Sequence, residues 1–126
     1  MSWQAYVDTN LVGTGKVAKA AIFGLNGAQW ATTPGFQVQS SEMSEIIAAF
    51  ADNTTVQANG VHVAGVKYFT LRADDRSIYG KQKADGVCLV KTLQAVIVGV
   101  YVEGMQAGSC TTVVEGLADY LISVGF

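Results

Sequence analysis

The sequence predicts an α+β fold: an antiparallel sheet with a helix near each end of the chain and one inside. Three observations predict it. From residue 60 onward, short apolar segments follow one another with turn residues between them. The chain between those segments is too short for crossover helices, which leaves antiparallel pairing. Two further stretches, residues 40–52 and 108–124, carry apolar side chains at helical rather than strand spacing. With 126 residues, half of them hydrophobic and 14% charged, the chain reads as one domain with a substantial core.

Residues 2–12 read as a short helix. Ser2 is placed to cap it, and Trp3, Val7 and Leu11 recur at i, i+4, i+8, with Tyr6 at the edge of that stripe. "AAIFG" and "QWATT" follow as two strands, with Trp30 on the second. Asn26-Gly27 between them signals a type I′ hairpin, because both residue types tolerate positive φ. "SSEMSEIIAAFAD" is the clearest internal helix, capped by Ser40 or Ser41, with Met43, Ile46, Ile47 and Phe50 facing the core. "GVHVAG", "VKYFTLR", "SIYGK", "VCLVKT" and "QAVIVGVYV" are the remaining strands. Asn59-Gly60, Ala73-Asp74-Asp75 and Asp85-Gly86 mark turns among them. The last helix buries Val113, Val114, Leu117, Ala118 and Leu121, and Tyr120 lies at the edge of that stripe.

Composition excludes several functions. No apolar run approaches the ~20 residues of a membrane span, and Asp8 interrupts any signal-peptide core, so a cytoplasmic protein is expected. Cys88 and Cys110 read as buried free thiols. Residues 1–66 carry −2, residues 67–91 carry +3 and residues 92–126 carry −3, so six of the eight basic residues fall in one fifth of the chain. Such a cluster suits docking to an acidic partner. The net charge of −2 argues against nucleic acid.

Catalysis finds no residues to carry it. His62 is the only histidine and reads as a half-exposed strand residue, and the cysteines lack metal-ligand spacing. "GTGK" at residues 13–16 has Asn10 and Val17 where a phosphate loop needs Gly and Ser or Thr; it reads as a helix-ending glycine and a turn. Asp74-Asp75 between arginines reads as a turn with local ion pairs. No nucleophile, base and orienting group assemble, so neither an enzyme nor a bound metal or cofactor is expected.

What remains is a binding protein with aromatic side chains to spare. If the two terminal helices lie together, Trp3 and Tyr6 face Tyr120 and Phe126. Parallel rings with hydroxyl and indole donors suit a polyproline II ligand, which arrives extended with unpaired carbonyls. An alternative of another class is a small cytosolic regulatory or sensor domain with an apolar ligand pocket.

The opening "SWQAYVD", the middle "GVKYFTLRADDRSIYGK" and the ending "VVEGLADYLISVGF" resemble profilin over the whole length, and "RADDRSIYGK" resembles its fungal and plant branch. The resemblance implies a central antiparallel sheet between two helix layers, with the terminal helices side by side. It implies a monomeric protein that binds monomeric actin, proline-rich segments of assembly factors such as formins, and phosphatidylinositol bisphosphate at the membrane surface. The proline-rich site would fall on Trp3, Tyr6, Trp30, Tyr120, Leu121 and Phe126. Tyr120 stands where many animal members have histidine, and Phe126 replaces a frequent tyrosine. The actin surface would include Lys67, Arg72, Lys81 and Lys83, continuing over Met105, Gln106, Gly108, Thr111, Thr112 and Glu115. Phosphoinositide contacts would draw on Arg72, Arg76 and Lys81.

Overall fold

The structure, a computed structural model, describes residues 2–126. Seven strands form one antiparallel sheet: β1 (Lys19–Gly24), β2 (Gln29–Thr32), β3 (Val61–Val63), β4 (Val66–Ala73), β5 (Ser77–Gln82), β6 (Asp85–Lys91) and β7 (Ala95–Tyr101). Their spatial order is β2-β1-β7-β6-β5-β4-β3, so β1 pairs with β7 across most of the sequence. Every residue of β7 is buried, because helices cover both of its faces. That is why "AVIVGVY" is apolar throughout instead of alternating.

The first helix, α1, changes its winding along its length. Trp3–Ala5 is α-helical, Tyr6–Leu11 is a π-helix and Val12–Thr14 is a 3₁₀ turn. Ser2 caps it as expected, its Oγ accepting the Ala5 N–H at 3.1 Å. The π segment is marked by the Val12 N–H donating to the Val7 carbonyl five residues back. Val7 and Leu11 are fully buried beneath it.

α1 and α4 (Ala107–Ser123) cover one face of the sheet, where Leu11, Ile22, Ile97, Val114 and Leu121 share a core. α2 (Ser40–Ala51) and α3 (Thr54–Asn59) lie over the opposite face, where Met43, Ile46, Val56, Leu89 and Val98 form a second core. Burying one such aliphatic side chain is worth about 1.5–3 kcal/mol. Two layers of helices thus hold the sheet between them. Cys88 and Cys110 are free and buried in the first core, and burial pushes the Cys110 thiol up to about 12.

Local chemistry departs from the sequence reading at four points. The helix at residues 54–59 is an addition, and Asn59-Gly60 ends it: Gly60 at φ 81° is its C-cap. α2 is capped by Gln39, not Ser40 or Ser41; the Gln39 N–H donates to Glu42 Oε1 at 2.7 Å. Glu42 also accepts the N–H groups of Ala64 and Gly65, tying α2 to the β3–β4 turn. The β1–β2 turn is not type I′, because Gly27 has φ 88° while Asn26 does not enter the left-handed region. Its Asn26 instead accepts the Ala28 N–H through the side chain. The β5–β6 turn lies at Lys83, with φ 55°, so Asp85 and Gly86 begin β6.

Candidate functional site

Four elements bring the aromatic side chains together. Trp3 and Tyr6 come from α1, Trp30 from β2, Tyr120 from α4 and Phe126 from the segment after it. Trp3 is the hub: its ring centroid lies 4.6 Å from Trp30, 5.6 Å from Tyr6 and 5.1 Å from Phe126. Tyr6 continues the row to Tyr120 at 6.3 Å. The rings are not parallel. Interplanar angles run from 43° to 82°, so they form the tilted walls of a shallow trough.

The trough is built from below. Gly24 lies under Trp30, and a Cβ there would stand 2.9 Å from the indole Nε1, so glycine is what lets the ring lie against β1. Phe126 is held by its backbone. Its carbonyl accepts Thr92 Oγ1 at 2.7 Å and the Gln94 N–H, and the Gln94 amide reaches the Gly125 carbonyl at 2.8 Å. Leu121 is 1% exposed and supports the rings from the core, so it has no surface to offer a ligand. The other five members of the expected site are accessible, Tyr120 at 50% and Phe126 at 38%. Burial and then the Tyr120 hydroxyl raise the Tyr6 phenol above its ordinary value.

The basic segment forms a second surface on strands β4 and β5, on the same face as α4. Phe69 pairs with Lys81 and, after a bulge between Thr70 and Arg72, Arg72 pairs with Tyr79. Lys67 Nζ lies 5.9 Å from the Phe69 ring centroid, and the Arg72 guanidinium lies 5.6 Å from that of Tyr79. Lys83 stands in the β5–β6 turn. Gln106 is the N-cap of α4; Gly108 and Thr112 are exposed on its first turns, while Met105 and Thr111 are half-buried.

Glu115 is less a surface residue than a hub. Its Oε1 accepts Arg76 Nε and Nη2 at 3.1 and 2.9 Å, and its Oε2 accepts Ser77 Oγ at 2.7 Å and the Tyr79 hydroxyl. Burial alone would raise its carboxyl, but these donors outweigh burial and hold it below its ordinary value. Arg76 also pairs with Asp119 at 2.7 Å. Its guanidinium is therefore shared between two carboxylates of α4. Arg72 pairs with Asp74 at 2.8 Å, as the turn reading expects, but stays exposed.

Sequence reasoning missed Phe69 and Leu71, the two most exposed large apolar side chains among the described residues, at 68% and 64%. The signal was present: Lys67, Phe69 and Leu71 alternate in the outward phase of β4. The Arg76–Asp119 pair had no local signal.

The family model for profilin matches residues 1–126. The chain belongs to the profilin family. Profilins are actin-binding regulatory proteins, not enzymes. Profilin-1B of Acanthamoeba castellanii is 57% identical over 126 residues, with all of both chains covered. The crystal structure of Acanthamoeba castellanii profilin II superposes with a TM-score of 0.97 at 54% identity, covering 99% of this chain and 100% of that one. Mouse profilin IIa in complex with a double repeat from the FH1 domain of mDia1 gives a TM-score of 0.83 at 25% identity, with both chains covered in full. No helix among the described residues of this profilin is long and apolar enough to cross a membrane.

Proposed function

We propose that this profilin holds monomeric actin and a proline-rich segment at the same time and so delivers actin to assembly factors in the cytoplasm. The row of rings from Trp30 through Trp3 and Tyr6 to Tyr120 carries the reading. Its half-exposed faces and polar edges suit proline rings and their free carbonyls. The mouse relative's complex with an FH1 repeat supports a formin-type segment as the ligand.

The proposed actin surface is the face carrying Lys67, Arg72, Lys81 and Lys83 together with the start of α4. Exposed Phe69 and Leu71 give it an apolar centre within a basic rim, the composition of a protein interface. Phosphatidylinositol bisphosphate would draw on Arg72 and Lys81 of the same face, so lipid and actin would compete there. The apolar-pocket alternative has no comparable support: a hollow of about 260 Å³ between α2 and α3 has Glu45, Asp52 and His62 on its lining. The test is retention on immobilised polyproline together with co-sedimentation against actin. Failure to retain the folded protein on polyproline overturns the proline-site reading, and failure to bind monomeric actin overturns the delivery role.

A further inference from the structure

Between α1 and α4 a groove of about 440 Å³ runs on from the ring row, since Tyr6 and Tyr120 line both. Its walls past the rings are Asn10 of α1 and Gly116 and Leu117 of α4. At Thr112 and Val113 it meets a second, shallower hollow bordered by Lys16 and Gln106. No close packing or positive φ requires glycine at Gly116: its φ is not positive, and a Cβ added there would meet nothing within 4 Å. Glycine inside a helix is unfavourable, so a residue that leaves the groove open at a cost to the helix points to something that enters it. Lys16 is exposed and makes no ion pair among the described residues.

We propose that this groove receives the residues flanking the proline run of the ligand, small side chains passing Gly116 and a carboxylate reaching Lys16. The proposal rests on the proline-binding reading of the rings. Three features fit that occupant. The groove is continuous with the ring row. Lys16 at its far end complements an acidic side chain. Its span matches a short peptide: Tyr120 and Thr112 are about 12 Å apart along α4 at 1.5 Å per residue, and a polyproline II strand rising ~3.1 Å per residue covers that in about four residues. The far end of the groove adjoins Gln106, Gly108 and Thr112 of the proposed actin surface, so the flanking residues are expected to give up the Lys16 end when actin binds while the proline run stays on the rings.

Calorimetric titration with three peptides tests this: decaproline, and decaproline extended by Gly-Ala-Ser-Ala-Glu at its N-terminal or its C-terminal side. One of the two extended peptides is expected to bind at least fivefold more tightly than decaproline. Gly116→Gln, which fills the groove from an exposed helix position, is expected to abolish that gain and to bind decaproline like the unmodified protein. Lys16→Glu is expected to reduce the gain at least threefold. The proposal is overturned if neither extension improves binding, or if the gain survives Gly116→Gln. Loss of decaproline binding in Gly116→Gln also overturns it, since groove and rings would then not be separate subsites. If the unmodified protein does not bind decaproline, the ring-row reading itself has failed, and this proposal with it.

Discussion

Trp3 touches three other rings, so its removal acts on the site and on the helix at once. Trp3→Ala is expected to cost about 2 kcal/mol or more of polyproline affinity and to lower the thermal midpoint as α1 loses its contacts with Trp30 and Phe126. Tyr6→Asp separates the two effects. Tyr6 is only half-buried at the edge of α1, so the variant is expected to keep its circular dichroism and melting transition while it is no longer retained on polyproline. Normal retention of the folded variant would remove Tyr6 from the site. Glu115 is the residue whose charge the fold uses most. Its carboxyl and that of Asp74 both titrate below their ordinary values in the folded state, Asp74 through the N–H groups of Ser77 and Arg76. A depressed folded value means stability that is complete above the unfolded value, near 4.5, and is lost as the pH falls through the folded one. Denaturant midpoints are therefore expected to drop on acidification below about pH 4.5. Glu115→Gln is expected to cost about 1–3 kcal/mol at neutral pH and to flatten that acid limb. An acid limb unchanged in the variant would mean that other carboxylates carry it.

The end of α4 shows what an element needs beyond its own sequence. Phe126 lies against Trp3 only because Thr92 and Gln94, in the β6–β7 turn, hold its backbone. Thr92→Val removes the hydroxyl donor at near-constant volume. It is expected to weaken oligoproline binding severalfold in calorimetry, with a stability loss of about 1 kcal/mol. Unchanged affinity would mean that Phe126 keeps its place without the hydroxyl. The stripes of α2 and α4 were legible in the sequence because each has enough turns for its period to repeat. The strands were legible because turn residues separate them. α3 was not, because six residues with Val56 as their one buried side chain show no period. Capping by Gln39 was missed because serine is the commoner cap, and Gly86 was taken for a turn although it lies under the Tyr101 ring. The ring row was legible from edge positions on two helices. The Arg76–Glu115 bridge was not, since it joins residues that no local pattern connects.

At the scale of the molecule, the two proposed surfaces share α4. Its 17 residues span roughly 25 Å at 1.5 Å per residue, with Tyr120 toward one end and Gln106 at the other. Actin affinity is therefore expected to be the same with and without saturating decaproline, and mutually exclusive binding would overturn delivery. Lys81→Glu is expected to weaken actin binding by about 1–3 kcal/mol while leaving retention on polyproline unchanged. Equal loss of both ligands in the folded variant would mean that the surfaces are not distinct. The position of β1 has a consequence for synthesis. This strand lies between β2, its neighbour in sequence, and β7, which the ribosome makes much later. Pairings between distant segments form slowly, and until β7 and α4 emerge, Val7 and Leu11 have no finished core to enter. Trp3 and Trp30 are made early, and Tyr120 and Phe126 late. A half-made molecule therefore lacks two rings of the row, and the proposed proline site is complete only once the last helix is in place.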